Sequence, residues 1–234
     1  MEQLPLEVRL ADHAVFSNFL PAGNELVIHE LESASAGAHQ AMLWVWGPAE
    51  SGRSHLLQAC IAEADERGRR TAYLPLGREL GLPAAALDGL GDFAVVGLDD
   101  VDAIAGDAGF ERALLGLFEQ LRQSGGRLVI TAAAPPGDCG FGLPDLASRL
   151  TSGGVYRVQP LDDASRLQAL QIRARFRGFD LPEDTGRYLL NRTRRGPASL
   201  FGVLDTLDRA ALVAQKRLTI PFVRSVLDAC SAVP

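Results

Sequence analysis

The sequence carries no excess of positive charge: 23 Lys and Arg stand against 29 Asp and Glu, a formal net charge of −6. A chain with this balance is not built as a whole to hold a polyanion, so contact with nucleic acid is confined to a local patch or made through a partner. Apolar runs of bilayer length are missing, since none approaches the roughly 20 residues that cross hydrocarbon. The segment Met1 to Leu10, with Glu2 and Glu7, lacks the basic start and apolar stretch of a secretory leader. These absences predict a cytoplasmic protein with no membrane partner. Cysteine is scarce, and Cys60, Cys139 and Cys230 are odd in number and far apart. That spacing argues against a disulfide framework and against zinc, leaving them as small packing residues. His13, His29, His39 and His55 show no H-E-x-x-H spacing, and no G-x-S-x-G elbow occurs, so triad or zinc hydrolysis has no support. Internal repeats and flexible linkers are lacking too.

What is present is the composition of a soluble globular protein, 47% hydrophobic and 22% charged over 234 residues. Residues 41 to 160 alternate short apolar runs with helical stretches, the pattern of a parallel sheet covered by helices. Strands are predicted at Met42–Trp46, Thr71–Pro75, Phe93–Leu98, Leu128–Ala132 and Val155–Gln159, with little alternation of polar residues, as suits a sheet buried on both faces. Helices are predicted near Ser54–Arg67, Phe110–Gln123 and Pro144–Thr151. After Pro160 the period is helical throughout. Asp162 or Asp163 caps a helix running to about Arg177, Pro182 opens another, Pro197 starts a third, and Thr219 caps a last one with Pro221 in its first turn. The expectation is an α/β domain over residues 1–160, a three-layer αβα sandwich around a parallel five-stranded sheet, followed by an all-helical domain over 161–234.

The most informative stretch runs from Trp44 to His55. An apolar strand breaks into Gly47-Pro48-Ala49-Glu50-Ser51-Gly52-Arg53-Ser54-His55 and then into a helix, the spacing of a phosphate-binding P-loop. Successive backbone N–H groups of such a loop turn onto an anion, and the following helix aims its positive end at the same point. Arg53 stands where the motif has Lys. Its planar fork keeps the charge but not the compact point donor that an ammonium places between the β- and γ-phosphates, which weighs against hydrolysis. A glycine-bracketed turn can also be a plain tight connection; the order strand, loop, helix favours the cradle.

A second strand ends in Asp99-Asp100 at the carboxyl edge, where ligands of open α/β sheets sit. Asp99 would hold Mg2+ in the Walker B role together with the Ser54 hydroxyl, and Asp100 would polarise the attacking water, with a shorter reach than Glu. The plainer reading is that both aspartates cap the next turn. Thr131, at another strand end, is placed to sense a γ-phosphate or the attacking water, although threonine is common in strands. Arg149 lies on a short helix before the last strand, where it could serve a neighbour's nucleotide as a finger; a lone arginine is more often only a solvated surface group. Arg192, Arg194 and Arg195 form a basic cluster with no aromatic residue interleaved, which disfavours a stacking platform for single strands.

Together the phosphate loop, the aspartate pair, Thr131, Arg149 and the helical C-terminal region resemble the AAA+ ATPases, and among them the bacterial replication-initiator group. Gly52-Arg53-Ser54-His55-Leu56-Leu57, Gly142-Leu143-Pro144-Asp145-Leu146-Ala147-Ser148-Arg149-Leu150, Leu167-Gln168-Ala169-Leu170-Gln171 and Leu218-Thr219-Ile220-Pro221-Phe222-Val223 are similar to the Hda family of initiator-related regulators, over nearly the whole chain. Arg53 matches that family's own pattern.

The resemblance implies an ADP-binding protein, with room for another nucleotide and for Mg2+. It would attach to the sliding clamp of the replicative polymerase and so meet DNA indirectly, and it would stimulate the initiator DnaA to hydrolyse its ATP, limiting replication to one round. It also implies that Arg149 is the finger inserted into the initiator's ATP site, that Phe16 borders the base, and that the helical region is a lid. The stretches that carry the resemblance do not include the initiator's DNA-binding helix-turn-helix domain, so independent sequence-specific DNA recognition is not expected. A homo-oligomer is compatible with the sequence, which does not specify one. The clamp-binding motif of the family begins with Gln and ends in Leu-Pro-Leu; Leu4-Pro5-Leu6 match the end, the Gln position falls at Met1, and Gln3 reaches the pocket only in a shortened register. Ala198 falls where the lid arginine is expected, with Arg195 a substitute from another angle. Two other readings stay open: an autonomous AAA+ ATPase that loads or remodels a replication protein, and a scaffold whose phosphate loop is empty.

Overall fold

The structure, a computed structural model, describes residues 14–38, 41–77, 80–193, 203, 206–207, 210 and 218–230. The five predicted strands form one sheet, β1 (Met42–Trp46), β2 (Thr71–Pro75), β3 (Val95–Asp99), β4 (Arg127–Ala132) and β5 (Gly154–Arg157), in the order β2-β3-β4-β1-β5. Every pairing is parallel, so all strand ends that carry polar residues emerge on one edge. Inserting β4 between β1 and β3 is what sets the site: it brings Thr131, paired with Val45, between the loop that leaves β1 and the aspartates that end β3.

Both faces of the sheet are covered, which explains why the central strands are apolar without alternation. The helix α1 (Glu25–Ser35) packs on α2 (Arg53–Glu66), which lies against β2, β3 and β4. On the opposite face Trp44, Val96, Leu98, Leu128 and Ile130 form a core with Leu114, Leu117 and Leu121 of α3 (Ala108–Ser124) and with Leu146 and Leu150 of α4 (Pro144–Ser152). Trp44 is fully buried, and its indole N–H is satisfied by the Ala134 carbonyl at 3.0 Å.

The boundaries differ from the sequence reading for local reasons. α3 starts two residues early because the Asp107 carboxylate accepts the N–H groups of Gly109 and Phe110 and so caps the helix ahead of Phe110. β5 stops before Gln159 because that residue's N–H is taken by the Asn24 side chain at 2.7 Å, whose amide donates back to the Gln159 carbonyl. β3 starts late, after the 3-10 turn Leu90–Asp92, and extends through Asp99. α1 has no counterpart in the sequence reading.

The chain divides into two compact units, one holding Gly23–Pro160 and the other Leu161 onward together with Ser17–Ala22. The second unit contains α5 (Asp163–Phe176), α6 (Glu183–Thr193) and α7 (Ile220–Cys230). Asp162 caps α5 through the Ser165 N–H, and the helix expected from Pro197 begins outside the described residues. Leu170, Ala174, Leu181, Leu189, Leu207 and Val223 form a core of their own. Among the described residues no helix is long and apolar enough to cross a membrane.

Candidate nucleotide-binding site

The phosphate loop has the backbone that its glycines permit. Gly47 leaves β1 with its N–H on the Ala132 carbonyl, and a Cβ added there would stand 2.7 Å from the Val158 carbonyl oxygen, so only glycine fits. Gly52 is left-handed at φ 96°, the turn that feeds α2 at Arg53, and no side chain caps that helix. Between them Ser51 is buried to 4% exposure, and its hydroxyl has no hydrogen-bond partner. An orphaned hydroxyl inside a glycine-bracketed loop at an uncapped helix start suits a ligand that supplies acceptor oxygens.

Arg53 does not project freely from this loop. One terminal nitrogen donates to the carbonyls of Gly47 and Ala132, both at 2.5 Å, and the other pairs with Asp100 at 3.1 Å. The fork thus bridges the ends of β1, β4 and β3, a three-way contact that its geometry favours over an ammonium. Asp100 sits in the left-handed region at φ 55°, and its backbone N–H donates to Thr131 Oγ1 at 2.9 Å. Burial and the neighbouring Asp99 raise the Asp100 carboxyl above the usual carboxylate range, with the Arg53 guanidinium opposing them.

Asp99 is the hub. Its Oδ1 accepts from the Thr131 hydroxyl and from Ser54 Oγ at 3.1 Å, and its Oδ2 accepts from the Tyr73 hydroxyl at 2.8 Å. Gln58 donates in turn to the Tyr73 oxygen at 3.0 Å. Burial, then the charge of Asp99, pushes the Tyr73 phenol well above its ordinary range, so this hydroxyl stays protonated as a donor. Ser54 and Asp99, the pair expected to hold a metal, therefore face each other across a hydrogen bond. Among the described residues no group of three or more His, Cys, Asp or Glu side chains is placed to hold a metal by itself.

The structure thus brings Gly47, Ser51, Arg53, Ser54, Asp99, Asp100 and Thr131 to one edge of the sheet. Pro48, Ala49 and Glu50 complete the loop, Glu50 also left-handed at φ 61°. His55 is buried with Nε2 3.0 Å from the Val15 carbonyl, which ties the start of α2 to the residue before Phe16. Arg149 lies apart from this cluster, on α4. Its side chain is 49% exposed and its guanidinium rests 3.2 Å from Glu119 of α3, while Leu146 and Leu150 anchor the helix beneath it. Arg192 pairs with Asp228 of α7 at 2.5 Å. Gln3, Leu4, Pro5, Leu6, Arg194, Arg195 and Ala198 lie outside the described residues. Sequence reasoning missed Tyr73 and Gln58, whose role emerges only once β2 is known to flank β3.

Known proteins share this fold. The sequence model of the family described as Hda, lid domain, matches residues 163–227. Residues 163–227 are thus similar to an Hda lid domain. Domain III of the replication initiation protein DnaA from Thermotoga maritima superposes with a TM-score of 0.77 at 21% identity, covering 94% of this chain and 98% of that one. DnaA from Aquifex aeolicus, solved with AMPPCP, gives 0.64 at 21% identity over 77% of this chain and 61% of that one. The Holliday junction branch migration motor RuvB of T. maritima gives 0.60 at 14% identity over 89% and 70%. The chain spans less than two thirds of the Aquifex initiator. The fold is that of DnaA domain III and RuvB, and the stretch similar to the Hda lid domain follows the sheet in sequence.

Proposed function

We propose that this chain is a nucleotide-binding regulator that uses Arg149 to complete the ATP site of the initiator DnaA, acting with the DNA-loaded sliding clamp to hold replication to one round. Its own site keeps ADP or a related nucleotide and turns over slowly. The observation that carries this reading is the contrast between two arginines. Arg53, in the loop where an ATPase keeps a lysine, is bound into its own chain and neutralises Asp100, the residue an ATPase would use on water. Arg149 is half exposed on a well-anchored helix, its guanidinium in a surface pair with Glu119 that a second AAA+ module would displace. The similarity to the Hda lid domain supports the same assignment. Ser51, Ser54, the loop from Gly47 and Phe16 would hold the nucleotide, and Mg2+, if it accompanies the phosphates, would be held by Ser54 and Asp99. Gln3, Leu4, Pro5 and Leu6 would engage the clamp.

The test mixes DNA-loaded clamp, ATP-bound DnaA and the purified chain, and follows hydrolysis. Intact protein is expected to stimulate it, and Arg149→Ala to lose roughly the 10³- to 10⁵-fold worth of a finger. Equal stimulation by both removes the finger assignment, and stimulation by neither removes the regulator. The facing of Ser54, Asp99 and Thr131 also suits an autonomous ATPase; multiple turnovers by the chain alone, abolished by Asp99→Asn, would favour that reading.

A further inference from the structure

Glu111 is a charged residue in the interior, 2% exposed on the first turn of α3. Among the described residues its carboxylate makes no ion pair. It accepts three backbone N–H groups from two loops distant in sequence: Gly106 at 2.8 Å, Gly142 at 2.9 Å and Leu143 at 2.7 Å. A carboxylate taken out of water needs this full set of donors to remain charged, and the three bonds hold its pKa below the usual carboxylate range despite burial. Both loops matter to the site. Gly106 ends the short segment Val101–Gly106 that leaves Asp99 and Asp100, and Gly142 and Leu143 are the last residues before Pro144 opens α4. Leu143 is the N-cap of α4 and has no capping side chain, so the helix that carries Arg149 takes its start from a carboxylate on a neighbouring helix. Eight residues along α3, Glu119 meets Arg149 itself. The same helix thus grips α4 at its first residue and at its arginine.

We propose that Glu111 is a positioning residue for Arg149: its carboxylate fixes where α4 begins and hence where the guanidinium points. This rests on the reading of Arg149 as a finger supplied to a partner. A finger acts only when its charge meets the transition state, and a misplacement of about 1 Å costs about a hundredfold in rate. Glu119, 28% exposed and shared with Arg122, steadies the side chain, whereas Glu111 sets the backbone.

The experiment titrates the chain into DNA-loaded clamp and ATP-bound initiator with the intact protein, Arg149→Ala and Glu111→Gln. It reads the maximal stimulated rate, the half-saturating concentration and amide hydrogen exchange. Glu111→Gln, which keeps the shape but sets an amide NH2 against donors, is expected to lower the maximal rate about tenfold to a hundredfold. Half-saturation and ADP affinity stay near the intact values, and exchange rises at residues 142–150 but not at 114–121. A purely structural loss would instead raise exchange throughout and lower ADP affinity. If Arg149→Ala fails while Glu111→Gln matches the intact protein in rate or exchange, the Glu111 assignment is overturned and the finger stands. If Arg149→Ala matches the intact protein, the finger falls and the positioning role falls with it. Should Glu111→Gln not fold, Glu111→Asp, which keeps the charge one methylene short of the donors, is read in the same way.

Discussion

Thr131 shows how much one hydroxyl can carry at a strand end. Its proton goes to the Asp99 carboxylate and its lone pair receives the Asp100 N–H, so it closes the turn that holds both aspartates. Thr131→Val keeps the shape and removes both contacts, leaving a part-buried N–H unpaired at a cost of up to about 1–3 kcal/mol. Urea unfolding of the variant should show a loss in this range; an unchanged midpoint would mean the turn closes without it. Cys60 makes a second residue-level case. It is fully buried on α2 with its thiol on the Leu31 carbonyl, and burial, then Glu63, pushes it up to about 12. The native thiol is expected to resist an aromatic disulfide reagent at pH 8 and to react only on unfolding. This agrees with its reading as a packing residue.

At the scale of elements, the strands and the helices that follow them were legible because apolar runs bounded by turn residues leave few alternatives; Met42–Trp46 and Thr71–Pro75 match the sequence reading at both ends. α1 escaped that reading although it carried a signal. Val27, Leu31 and Ala34 are buried at a spacing of four and three, one helical stripe. That Asp99, Asp100, Thr131 and the glycine-bracketed loop after β1 meet at one edge of the sheet was legible because strand ends and glycines mark them. Tyr73 and Glu111 were not, since the role of each depends on what the topology sets beside it: a neighbouring strand for Tyr73, two loops for Glu111. Glu111 also has a consequence for acid stability. Its folded carboxyl lies below its ordinary value of 4.5, so its contribution is complete above the usual glutamate range and lost as pH falls through the lowered value. Unfolding free energy measured from pH 6 downward should therefore drop less steeply in Glu111→Gln than in the intact protein, and parallel profiles would show that the three donors do not depend on the charge.

For the whole molecule, the two units have separate cores, one around the sheet and one among the C-terminal helices. A nucleotide that binds only the folded state stabilises it by mass action, about 2.7 kcal/mol at a hundredfold excess over Kd. Saturating ADP should raise the melting temperature of the intact chain, and no shift at millimolar ADP would favour the scaffold with an empty loop.

The three-way seat of Arg53 bears finally on how salt would act. With one guanidinium set against Asp99 and Asp100, the cluster offers an incoming polyanion no surplus of positive charge. Attraction must then come from oriented amides, whose short-range dipoles counterions screen far less than a lone surface cation. Retention of the nucleotide should accordingly tolerate ionic strengths that would strip it from a site relying on an exposed lysine.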